Sequence, residues 1–161
     1  MKNNNESIKK IWQDFITKNP QYGHRQRPAS FYFCSNQKAA DDCAQLVVKG
    51  IKQATTSSKW HYDFKQEKFA SVGDMFIITD WCGKACAIIE ITHVELTNYN
   101  KITEAYAGIE GEGDQSLAHW RKVHWTHFSQ EMAVCNEEPT ADMPVVCEYF
   151  KTVWIASYQP V

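Results

Sequence analysis

Gly50-Ile51-Lys52-Gln53-Ala54-Thr55-Thr56-Ser57 is the stretch on which the reading of the chain turns. Ala39, Ala40, Cys43, Leu46 and Val47 recur at helical spacing before it, and the pattern stops at Gly50. A glycine just past the last periodic residue ends a helix, because it enters the left-handed region without a Cβ clash. The lysine and three hydroxyl residues after Gly50 read as a turn or the start of a strand. A second polar cluster, Glu110-Gly111-Glu112-Gly113-Asp114-Gln115-Ser116, stands downstream. The two clusters are candidate halves of one site.

Towards the N-terminus, Ile8, Ile11, Trp12, Phe15 and Ile16 predict a helix over about residues 6–18, with Pro20 just beyond its end. Its apolar stripe needs a partner, most simply the outside of a sheet. Residues 19–30 form a linker with two prolines, a glycine and basic groups. Phe31 to Cys34 reads as a short strand, and Ser35 or Asn36 can cap the helix that leads to Gly50. Residues 58–70 are aromatic and fit either a polar helix or a loop. Val72-Gly73-Asp74 is a turn, Met75 to Thr79 a strand, Asp80 to Lys84 a hairpin loop, and Ala85 to Glu95 a longer strand. Asn98 or Asn100 can open a short helix through Tyr106. The glycine-rich acidic stretch comes next, with Asp114 placed to cap a helix on which Leu117, Trp120, Arg121, His124, Phe128 and Met132 recur. Val145 to Ile155 is the last strand. Sequence-adjacent strands near 75–95 read as antiparallel, so the expected class is α+β, in a single domain over residues 1–161.

The composition excludes several classes of protein. The 161 residues are 43% hydrophobic with a net charge of −2. A long nucleic-acid footprint normally needs a basic excess, and only local basic groups stand here, His24-Arg25-Gln26-Arg27 and Arg121-Lys122 with His124 and His127. No apolar run approaches the roughly 20 residues of a membrane span. The six cysteines follow no signal peptide and show no second pair at zinc-ligand spacing, so reduced thiols, a cytoplasmic address and no metal or cofactor are expected. His119, His124 and His127 lack a matched i, i+4 pair with a carboxylate and read as surface or packed residues. The sequence leaves the oligomeric state open, a dimer included.

A lysine acts as base or nucleophile when desolvation or a neighbouring cation lowers its pKa, whereas a carboxylate orients its ammonium. Lys52 follows the apolar helix end, Glu112 or Glu110 can supply the carboxylate, and the Thr55 hydroxyl completes the parts of a Thr–Lys nucleophile system. In a regular strand residues 52 and 55 face opposite sides, so they converge only if the segment turns between them. The plainer alternative is a solvated Lys52 at the negative end of a helix dipole. The acidic stretch is either a solvated loop or a place where backbone approaches a ligand, with Asp114 and Ser116 at a helix N-terminus. Its three acids suit a base edge or an amine better than a phosphate. Trp60, Tyr62 and Trp120 are candidates to stack a base, beside Ser57 and Arg121.

These motifs carry a resemblance. Gly50-x-Lys52-x-x-Thr55 resembles the signature of the ASCH domain, a relative of the PUA-like RNA-binding folds. The likeness extends through Val72-Gly73-Asp74, Glu110 to Leu117, Trp120-Arg121, His124 and Asp142 to Glu148, as in a longer bacterial branch of that family. It implies a small mixed β-barrel flanked by helices, with a cleft beside the signature. By likeness to a smaller ASCH amidohydrolase that deacetylates acetylated cytidine, it implies Thr55 as nucleophile, Lys52 as base and Glu112 as the positioning acid. A ribonuclease of the same family offers a second precedent, with the signature lysine and Ser116, and a non-catalytic RNA-binding module a third. The implied partner is a small nucleoside-like ligand or short single-stranded RNA.

Overall fold

The computed structural model describes residues 4–157. Its elements run α1 (Asn4–Lys18), β1 (Ser30–Phe31), α2 (Gln37–Val48), β2 (Ala54–Ser58), α3 (Lys59–Lys65), β3 (Met75–Thr79), β4 (Ala85–Asn98), α4 (Glu104–Glu110), α5 (Leu117–Met132) and β5 (Pro144–Ile155). Hydrogen bonding orders the five strands β1-β3-β4-β5-β2. The class is the expected α+β, but the ladder runs open from β1 to β2 where the resemblance implied a closed barrel. No helix among the described residues is long and apolar enough to cross a membrane. Contacts divide the chain into two compact units, one of residues 1–50, 73–90 and 151–161 and one of residues 51–72 and 91–150.

In the first unit, β3 and β4 form an antiparallel hairpin with Ile77 opposite Ile88, and β1 joins β3 in parallel at Ser30–Ile77. Ile11, Trp12 and Phe15 of α1 bury against Met75, Ile77, Ala85 and Ile88, so the helical stripe does pack on the sheet. The Asn36 side chain caps α2 by accepting from the Ala39 N–H. Gly50 lies just past its end at φ +69, as the sequence requires. β1 is shorter than the run 31–34 suggests, because Cys34 turns to φ +67 and leaves the extended region.

In the second unit, β2 pairs antiparallel with β5, placing Ala54 opposite Tyr149, Thr55 opposite Glu148 and Thr56 opposite Cys147. Trp120, Phe128 and Met132 of α5 pack with Tyr99, Ile102, Tyr106, Ala107, Ala54, Val145 and Cys147. The ambiguous stretch after the signature forms α3, capped by the Ser58 hydroxyl at the His61 N–H. Four boundaries differ from expectation. β4 continues to Asn98, and the cap of α4 is Thr103 rather than Asn98 or Asn100, because its hydroxyl reaches the Tyr106 N–H. α4 then runs on to Glu110, so this acid ends a helix instead of opening a loop. The cap of α5 is Ser116, which accepts from the His119 N–H, while Asp114 accepts from the Ser116 N–H in the preceding turn.

Gly111 closes α4 at φ +73, where a Cβ would lie 2.8 Å from the Ile51 carbonyl oxygen. Gly111→Ala should therefore cost about 2–4 kcal/mol of stability in urea denaturation, from the left-handed φ and the overpacking together. Gly108, inside α4 with open space at its Cβ position, is the control. Gly108→Ala should stabilise by up to about 1 kcal/mol.

Candidate active site

Lys52, Glu110, Glu112, Thr56, Trp120 and His124 belong to the second unit. Two backbone hydrogen bonds fix the segment that carries the lysine: Gln53 N–H donates to the Ile109 carbonyl and Phe150 N–H to the Gln53 carbonyl. The segment is thereby tied to the end of α4 and to β5 before the strand proper begins at Ala54. Lys52 is buried, 1% exposed. Its ammonium donates to Glu112 Oε1 at 2.5 Å and to Glu110 Oε2 at 3.3 Å. The two acids stand on either side of Gly111, the last residue of a helix and the second residue of the turn after it. Both therefore converge on one amine from 58 and 60 residues away in sequence.

Glu110 is as buried as the lysine, and its second oxygen is fully engaged. Oε1 accepts from Thr56 Oγ1 at 2.5 Å and from the Trp120 indole N–H at 2.8 Å, with His124 Nε2 at 3.6 Å. Burial favours the neutral acid, but the charges of His124 and Lys52 and the hydrogen bonds from Thr56 and Trp120 outweigh it. The carboxyl is held below its usual range and stays ionised. His124 Nδ1 lies 2.9 Å from the Trp120 carbonyl, which can only accept, so Nδ1 carries a proton and Nε2 is the nitrogen that faces Glu110. Tyr106 closes this side: its hydroxyl donates to the Thr55 carbonyl at 3.0 Å and lies 2.9 Å from Thr56 Oγ1. Burial, then the Glu110 charge, pushes the Tyr106 phenol well above its ordinary pKa, so it remains a neutral donor.

The strand parity of β2 separates its hydroxyls. Ala54, Thr56 and Ser58 are buried on the Glu110 side, while Thr55 and Ser57 are half-buried on the other. Thr55 lies opposite Glu148 in the ladder, and Glu148 accepts from the Tyr62 hydroxyl at 2.9 Å. Ser57 also bonds that hydroxyl, and burial together with the Glu148 charge and hydrogen bond keeps the phenol protonated. The other sequence-selected residues scatter. Trp120 is 3% exposed and stacks on His124 with ring centroids 4.1 Å apart, so it braces Glu110 from inside and offers no face to a base. Trp60 stacks on Phe64 and donates to Glu137 Oε2. Arg121 and Asp114 are exposed, and Ser116 is the helix cap.

Sequence reasoning gives no role to Thr56, Tyr106 or Glu148, and it reads His124 as a surface or packed residue without pairing it to Glu110. The signal for Thr56 is its even spacing from Lys52, and that for His124 its i, i+4 relation to Trp120 on α5. The chemistry available is that of a buried ammonium shared by two carboxylates. One of these is sealed, and the other, Glu112, keeps a fifth of its side chain accessible.

A PUA-like α+β fold with a buried lysine set between two acids defines the class of this protein. The ASCH domain family model matches residues 29–154, and the chain belongs to that family. The ASCH domain from Lactobacillus crispatus JV V101 is similar at 34% identity and a TM-score of 0.87, covering 92% of this chain and 95% of that one. A crystal structure of a protein from Enterococcus faecalis V583 is similar at 30% identity and a TM-score of 0.84, covering 93% and 90%. No curated protein matches the chain.

Removing Glu110 strands the Thr56, Trp120 and His124 groups that face it, so Glu110→Ala should lose about 2–5 kcal/mol in urea denaturation at neutral pH. The folded-state pKa of Glu110 is lowered, so its stabilisation is fully present above the unfolded value and is lost as pH falls through the folded one. The gap between the native protein and the variant should therefore be widest at neutral pH and narrow below about pH 4.

Proposed function

We propose that the protein hydrolyses an acylated nucleoside or nucleobase, with Thr55 as nucleophile, Lys52 as the proton-transferring base and Glu112 as the acid that exchanges a proton with it. The observation that carries this reading is the 2.5 Å contact between a buried ammonium and a carboxylate that still reaches solvent. Held between two carboxylates, Lys52 rests as a cation and cannot accept a proton in that state. A substrate that covers Glu112 removes its remaining water and favours the neutral pair, in which Glu112 holds the proton and Lys52 is an amine.

In that state Thr55 Oγ attacks the acyl carbon; because Thr55 faces away from Glu110, its proton reaches Lys52 through a bridging water or the bound substrate, and the departing amine takes the proton back as the C–N bond breaks. Water then cleaves the threonyl ester and releases the carboxylic acid. Thr56 is a poorer nucleophile, because its hydroxyl is committed to Glu110. Glu110 acts as a positioning residue: it fixes the Lys52 ammonium from the buried side. A net charge of −2 fits a small ligand better than a long phosphate backbone.

Incubation with acetylated cytidine should release acetate. Lys52→Ala and Thr55→Ala should each lower kcat/KM by about 100-fold or more, and Glu112→Gln should lower kcat. No turnover across a panel of acylated nucleosides and nucleobases would overturn the proposal. Salt-sensitive cleavage of single-stranded RNA, abolished by Lys52→Ala, would replace it with a nuclease.

A further inference from the structure

Of the six cysteines, two meet in the first unit. Cys34 Sγ and Cys43 Sγ lie 3.6 Å apart. Cys34 sits in the bend between β1 and α2 at φ +67 and is half-buried. Cys43 projects from α2 and is 2% exposed. We propose that this pair is a modification site, a dithiol that peroxides oxidise to an intramolecular disulfide.

The geometry assigns different parts to the two sulfurs. A disulfide needs them about 2.05 Å apart, so one must move by roughly 1.5 Å from its present contact. Cys43 is held by a helix, whereas Cys34 lies in irregular backbone outside both neighbouring elements, so the closing movement falls to Cys34. Its partial exposure also makes it the thiol that peroxide reaches. The Cys34 thiolate attacks one peroxide oxygen, the O–O bond breaks, and Cys34 becomes a sulfenic acid as water or an alcohol leaves. The Cys43 sulfur then attacks the Cys34 sulfur, and the hydroxyl group leaves with a proton as water. With hydrogen peroxide, two thiols and one peroxide give one disulfide and two waters, the thiols oxidised by two electrons and the peroxide reduced by two.

The other four cysteines serve as internal comparisons. Cys86 and Cys147 are buried, and burial pushes both thiols up, Cys147 to about 11, which suppresses the reactive thiolate. Cys82 and Cys135 are exposed and compete openly for the same oxidant.

The full-length protein should be treated with graded hydrogen peroxide, alkylated, digested and mapped by mass spectrometry. A peptide pair joined through Cys34 and Cys43, lighter by two hydrogens and separated again by dithiothreitol, should accumulate at lower peroxide than any oxidised form of Cys82 or Cys135. Closing the short loop should also raise Tm. Cys43→Ala should halt the sequence at a sulfenic acid on Cys34 that dimedone traps. Cys34→Ser, which leaves the buried helix residue untouched, should abolish the bridge and keep Cys43 alkylatable after unfolding. Oxidation of Cys82 or Cys135 while Cys34 and Cys43 both stay reduced would overturn the proposal. So would conversion of Cys34 to sulfinic acid with no bridge at any peroxide dose.

Discussion

The interaction on which the second unit depends is the burial of the Lys52 ammonium between Glu112 and Glu110. A charge removed from water is unfavourable unless it is paired and its partners are themselves satisfied. The arrangement around it follows from that demand. Glu110 can be ionised in the interior only because Thr56, Trp120 and His124 complete its coordination. These groups arrive from one strand and one helix, while Lys52 comes from the segment before the strand and Glu110 from the end of a second helix. The ion pair therefore ties the fold's local choices together, and α4, α5 and β2 hold their positions partly through one carboxylate.

The same geometry divides labour between two neighbouring threonines. The period of a strand sends Thr56 to the buried carboxylate and Thr55 to the opposite face with Ser57, Tyr62 and Glu148. Thr56 is thereby bonded to Glu110, whereas Thr55 lies half-buried on the other face. The two acids divide in a similar way, since the helix end buries Glu110 and the turn beyond Gly111 leaves Glu112 partly wet. One carboxylate thus holds the lysine from the sealed side while the other keeps contact with solvent.

Much of this is legible in the sequence. The end of a helix at Gly50, the stripe of α1 and the run from Leu117 to Met132 come from spacing and turn chemistry, whereas the meeting of Lys52 with Glu110 or Glu112 stands there only as an expectation, supported by the family resemblance. The acids themselves cannot be distinguished there, because both flank a glycine and only the extension of α4 to Glu110 decides which is buried. That extension is hidden by the acidic, glycine-rich composition, which looks like a loop. Trp120 looks like a stacking surface because composition does not reveal which face of an aromatic helix turns inward. The choice among Asn98, Asn100 and Thr103 as a cap is equally hidden, since all three are residue types that serve as N-caps.

The most direct measurement is a carbon-detected NMR titration that follows the Glu110 carboxyl in the native protein and in Lys52→Met. With the lysine present, Glu110 should stay ionised to a pH below the ordinary glutamate value of 4.5, and with the ammonium removed its pKa should rise. A native Glu110 that titrates at or above the ordinary value, or one that the substitution does not move, would contradict the buried charge pair that organises the second unit.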